Sequence, residues 1–141
     1  MKYLTILLAS LTMMLVGCNR SSSEASGPAP AWVKDWSVAT AQAKEQNKPM
    51  LIDFYATWCG PCKMMDRQTF SQAAVLEEIN HWIPVKVDVD ANRTLAQQFA
   101  IEAMPTTVLL TADGKEIARN VGYLGPTELI TLAKNAREKV K

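Results

Sequence analysis

The chain has 141 residues, 48% hydrophobic and 21% charged, with 15 Lys and Arg against 14 Asp and Glu. That length suits one packed domain, and the composition is not that of a disordered chain. A near-zero charge with no basic stripe gives nucleic acid no electrostatic footing, while three cysteines are too few for a disulfide-stapled scaffold and leave one to be explained.

In chain order, the first segment is not part of a fold. One lysine, Lys2, precedes an apolar run from Tyr3 to Val16, shorter than the roughly 20 residues a membrane-spanning helix needs. It reads as the core of a secretory signal. The run ends in Leu-Val-Gly-Cys, 15–18, which resembles the lipobox of bacterial lipoproteins. On that resemblance residues 1–17 are a lipoprotein signal peptide, and Cys18 takes a diacylglyceryl group and becomes the new N-terminus. A plain signal with an incidental cysteine is the alternative. Two or more acyl chains hold a protein that a single chain would release. Asn19 in place of Asp leans towards the outer membrane of a two-membrane cell. Removing Lys2 with the signal balances the charges. Residues 18–30, "CNRSSSEASGPAP", have no apolar periodicity and form a flexible tether with a reach of about 20 Å.

The predicted globular domain is 31–141. After Ser37 an Ala-rich stretch reads as a helix, with a short edge strand before it. "PMLIDFYA" (49–56) is an apolar run broken only by Asp53, as in a strand buried on both faces. A helix from Gly60 to Gln68 follows, and another restarts at Ser71, a candidate N-cap. "PVKVDVD" (84–90) alternates strictly and predicts a strand. A short helix, "RTLAQQFA", comes next, then two strands joined through Asp113-Gly114, a hairpin signal. The last helix opens at Pro126 and offers Leu129, Ile130, Leu132, Ala133 and Ala136 to the core.

Cys59 and Cys62 flank Gly60-Pro61 in "WCGPC" (58–62), between a predicted strand and a predicted helix. A cysteine at a helix start faces unpaired N–H groups and the positive end of the dipole, which favour its thiolate. Pro61 has no N–H to lose in a first turn, and Gly60 is expected to allow a tight turn. Cys62, one turn on, reaches Cys59 to close a disulfide and is expected to sit deeper. Cys59 is then the attacking thiolate and Cys62 the resolving thiol. Asp53 is a carboxylate in a strand that should be apolar, so its pKa is expected to rise.

With "WCGPC", Asp53 and "MPT" (104–106) in place, the chain resembles the thioredoxin family over nearly all of 31–141. The resemblance implies an α/β thioredoxin fold: a central mixed sheet flanked by helices on both faces. Residues 48–79 are also similar to the C-terminal domain of the bacterial transmembrane thiol:disulfide interchange protein, from which the Gly-Pro dipeptide departs. The family resemblance implies that Asp53 takes the proton of Cys62 and that Lys86 tunes Asp53 by charge. It further implies that Pro105 is cis opposite the cysteines, that Met104 offers backbone to an extended substrate, that Trp58 flanks the site as an apolar contact, and that Gly122 lets a substrate approach. Thiolate activation alone explains little. A thiol brought from about 8.5 to about 7, the value thioredoxin itself illustrates, gains roughly fifteenfold in thiolate at pH 7 but loses roughly fivefold in nucleophilicity.

Rival chemistries are weaker. Zinc needs about four ligands, and beyond the pair there are only His81, expected on the surface, and distant Cys18; no metal and no cofactor are expected. Met64 and Met65 are adjacent, so they share no helix face for copper. Trp32 and Trp36 are expected to pack. A permanent structural disulfide closing so small a loop constrains the unfolded chain little. The reading is an enzyme, a protein-disulfide reductase of the bacterial cell envelope, lipid-anchored and facing the periplasm or the outer side of the cell membrane. Its partners would be proteins with disulfides and a membrane electron donor of the thiol:disulfide interchange type; a monomer is expected. A dithiol oxidase or isomerase, an apocytochrome c thiol reductase, and a non-catalytic lipoprotein binding module stay open as alternatives.

Overall fold

The computed structural model describes residues 28–140. The expected signal peptide, Cys18 and the tether as far as residue 27 lie outside the described residues. Pro30, at the end of the expected tether, is buried. The elements run α1 (Trp36–Gln46), β1 (Met50–Tyr55), α2 (Gly60–Gln68), α3 (Ala73–Ile79), β2 (Ile83–Asp88), α4 (Arg93–Gln98), β3 (Thr106–Leu110), β4 (Glu116–Val121) and α5 (Pro126–Glu138).

One four-stranded sheet has the order β2-β1-β3-β4. β1 pairs parallel to β2 and antiparallel to β3, and β3 pairs antiparallel to β4. The mixed sheet expected from the sequence is therefore present. The expected edge strand shrinks to a single bridge: Val33 pairs parallel with Val85, its N–H donating to Pro84 O at 2.8 Å.

Alternation along β1 divides the core. Met50, Ile52 and Phe54 pack with Ala39 and Ala43 of α1 and Leu95 of α4. Leu51 enters the opposite layer with Met65, Phe70, Val75, Ile79, Trp82 and Leu129. Asp53 shares the Leu51 face, so this strand carries its one carboxylate into the layer beneath α2. In α5 the buried stripe is Leu129, Ala133 and Ala136, with Ile130 and Leu132 half-buried beside it.

Local chemistry moves two helix starts. Asp35 caps α1, accepting from Ser37 N–H at 2.8 Å and Val38 N–H at 3.1 Å, so that helix begins before Ser37. Ser71 does not cap α3. Its hydroxyl donates back to Arg67 O at 2.6 Å, and the N-cap position falls to Gln72, which makes no side-chain cap bond. The Asp113-Gly114 turn joins β3 to β4 as expected, with Gly114 at φ 90° and Thr111 N–H donating to Lys115 O at 2.8 Å.

Helices α3 and α5 are joined by a buried carboxylate. Glu78 accepts from Arg137 Nε at 2.8 Å and Nη2 at 3.0 Å, and from Trp82 Nε1 at 3.2 Å. Arg137→Ala would leave that charge buried with one neutral donor. We expect a loss of about 2 kcal/mol, read by chemical denaturation, with the helix content at low denaturant unchanged.

Candidate active site

β1 ends at Tyr55 and α2 begins at Gly60, so the turn between them lifts Cys59 to the C-terminal edge of the sheet. Cys59 is the N-cap of α2, with Pro61 in the first turn. Its sulfur accepts from Cys62 N–H at 3.2 Å, the contact by which a helix start favours a thiolate. Cys59 and Cys62 are joined in a disulfide with a Cα–Cα distance of 5.3 Å. Two sequence expectations change here. Cys62 is not measurably deeper, since the cysteines are 4% and 3% exposed: the bond holds both sulfurs in one buried cluster with Ala56. What separates them is position, one at the cap and one on the inner helix face. The tight turn expected of Gly60 is not required either. Its φ is not positive, and open space lies where a Cβ would project.

The Met104–Pro105 peptide is cis, and Met104 packs against the cysteine cluster. Among the described residues neither the N–H nor the C=O of Met104 is bonded to another backbone group. Pro105 O accepts from Gly122 N–H at 2.8 Å, and Gly122 takes φ 100°, a conformation that suits glycine. Trp58 is 66% exposed. It is more than an apolar contact, because its indole N–H donates to Asp90 Oδ2 at 2.8 Å, fixing the ring beside the disulfide. Met64 is exposed and Met65 buried in the core, as their adjacent positions on α2 require.

Beneath α2, Asp53 stands opposite Lys86 on β2 and Thr107 on β3. Asp53 Oδ2 lies 3.3 Å from Lys86 Nζ, while Oδ1 is buried without a partner. Burial pushes the Asp53 pKa up to about 6; the Lys86 ammonium opposes the rise and the Asp66 carboxylate adds to it. Lys86 cannot fully offset burial because it is shared. It also pairs with Asp66, and its ammonium sits 5.0 Å, 4.9 Å and 5.6 Å from the ring centroids of Trp32, Tyr55 and Phe70. The ammonium is held by rings and carboxylates on several sides.

Asp66, Thr107, Asp90 and the aromatic ring set were not singled out from the sequence. Two carried a signal. Asp66 is one helical turn beyond Cys62 on the same face, and Tyr55 is two residues beyond Asp53 on the same strand face.

The thioredoxin family profile matches residues 33–135. The chain belongs to the thioredoxin family. It is 42% identical over 103 residues to a thioredoxin of Mycobacterium tuberculosis (strain ATCC 25618 / H37Rv), covering 70% of this chain and 81% of that one. It is 37% identical over 119 residues to a bifunctional thioredoxin reductase/thioredoxin of Mycobacterium leprae, covering 68% of this chain but only 24% of that longer protein. Among solved structures, a mutant thioredoxin from Halobacterium salinarum NRC-1 superposes with a TM-score of 0.61 at 30% identity, over 79% of this chain and 94% of that one. With this family and a Cys-Gly-Pro-Cys disulfide at the start of α2, the chain is a protein thiol-disulfide oxidoreductase.

Proposed function

We propose that this protein reduces disulfides of proteins in a bacterial cell envelope, tethered there by a lipid on Cys18. The observation that carries the chemistry is the Cys59–Cys62 disulfide capping α2, over a buried carboxylate and beside the Met104 backbone. In the reduced enzyme the Cys59 thiolate attacks one sulfur of a client disulfide. The Cys59–client bond forms, the client bond breaks, and one client sulfur leaves as thiolate. Cys62 then gives its proton to Asp53 and attacks Cys59 Sγ. The internal disulfide closes, and the second client sulfur leaves. Two electrons pass from the enzyme dithiol to the client, so a donor of the thiol:disulfide interchange type must restore the dithiol. The envelope half of the reading is supported by the sequence alone: the apolar run to Val16 and the Leu-Val-Gly-Cys that ends it.

Two readouts in cells test it. Wild type is expected in the membrane fraction with its cysteine pair mostly reduced, while Cys18→Ala is expected to lose membrane attachment. A pair trapped mostly oxidised would reverse the direction to dithiol oxidase. Unchanged attachment of Cys18→Ala would remove the lipid anchor.

A further inference from the structure

Among the described residues three threonines are buried: Thr69, Thr106 and Thr107. Two satisfy their hydroxyls on backbone, Thr69 donating to Leu124 O at 2.6 Å and Thr106 to Ala103 O at 2.7 Å. Thr107 Oγ1 has no partner. A buried hydroxyl without a partner is a liability that a valine of the same shape would not carry. Among the described residues one other buried side-chain oxygen is in the same condition, Asp53 Oδ1. Asp53 and Thr107 are direct cross-strand partners of β1 and β3. Their side chains therefore leave the same face of the sheet, with Cβ atoms about 4.5–5.5 Å apart.

We propose that Thr107 is a positioning residue for the proton acceptor: its hydroxyl donates to Asp53 Oδ1, directly or across one bridging water, when Asp53 is ionised. Lys86 engages Oδ2, so Thr107 serves the oxygen that the lysine leaves free, and the carboxylate is held from both neighbouring strands. The hydroxyl can also accept from a protonated Asp53. Donation to the charged form is the stronger bond, so Thr107 lowers the proton affinity of Asp53 against the rise that burial imposes. The inference rests on Asp53 taking the proton of Cys62.

Its test does not depend on turnover. In the oxidised full chain Cys59 and Cys62 do not titrate, and the groups facing Asp53 are Lys86 from β2, Asp66 from α2 and Tyr55 from β1 itself. The Asp53 carboxyl is titrated by carbon-13 NMR, with Asp53→Asn used for assignment, in wild type, Thr107→Val and Thr107→Ser. Thr107→Val is expected to raise the Asp53 pKa by about one unit, a tenfold gain in proton affinity. Thr107→Ser, which keeps the hydroxyl and loses the methyl, is expected to titrate with wild type. If valine leaves the titration unmoved, or serine moves it as far as valine does, Thr107 is a packing residue only and the proposal is lost. A wild type that reduces no insulin, with the titration shift intact, would instead count against the enzyme reading and leave the Thr107–Asp53 pairing standing.

Discussion

Cys59→Ser is expected to bring dithiothreitol-driven insulin reduction down to the uncatalysed background. Cys62→Ser is expected to stop turnover at a different point, with the client held on Cys59 as a mixed disulfide. The two variants separate because the cysteines occupy different positions on α2 and not because one is more exposed. Cys59 is the cap, and its sulfur already accepts the Cys62 N–H at 3.2 Å; a thiolate there keeps that donor and the dipole behind it. Serine at the cap is a far weaker nucleophile, since its hydroxyl is not ionised at neutral pH. Cys62 lies on the inner face and meets the client only through Cys59. Removing its sulfur leaves the first exchange intact and blocks the second. Wild type no faster than Cys59→Ser would end the oxidoreductase assignment. A Cys62→Ser enzyme that releases clients freely would end the resolving role while sparing the nucleophile.

The parts of the fold that show in the sequence are those set by local periodicity. The apolar run of β1, broken only by Asp53, follows from burial on both faces, and the strict alternation at Val85 and Val87 follows from burial on one. Gly114 at positive φ is the hairpin that Asp113-Gly114 announces. Ser71 does not cap α3 because a serine hydroxyl has two local partners, an N–H ahead or a C=O behind, and Ser71 takes the latter. At the site, the cysteine pair is legible because its chemistry needs residues three apart on one helix. Of the surroundings of Asp53, only Lys86 is reached beforehand, and that through the family resemblance. Lys86, Thr107 and Asp66 come from three separate elements, and only strand register and the packing of α2 bring them to one carboxylate. The Trp32, Tyr55 and Phe70 rings around Lys86 likewise have no shared spacing that a sequence could display. Nothing in composition says that Trp58, exposed as it is, is pinned through Asp90.

Asp53→Asn is expected to make the oxidised protein more stable at pH 7 and the reduced enzyme slower, two effects of opposite sign from one substitution. The folded-state pKa is about 6 against an ordinary value of 3.8, with burial as the main cause. Between those values the native state binds the proton more tightly than the unfolded chain does, so stability falls as pH rises. Well below the ordinary value of 3.8 both states are protonated and the penalty is absent. It grows through the folded pKa and is nearly complete at pH 7, where a shift of this size amounts to about 3 kcal/mol. Burial raises the Tyr55 pKa, so its hydroxyl stays neutral here, and the cysteines are tied in their disulfide. Wild type should therefore gain stability on acidification from pH 7 towards pH 4.5 in chemical denaturation, and Asp53→Asn should lack that gain. At pH 7 the variant should be more stable, by less than the full amount because Lys86 keeps only Asp66 as a charged partner. In the reduced enzyme the same asparagine offers no base to Cys62, and the resolving step should slow by about a hundredfold, as loss of a positioned proton acceptor does. Added stability with lost turnover is the signature of a carboxylate kept buried for its proton. A variant that lost both would show that Asp53 only fills its place in β1.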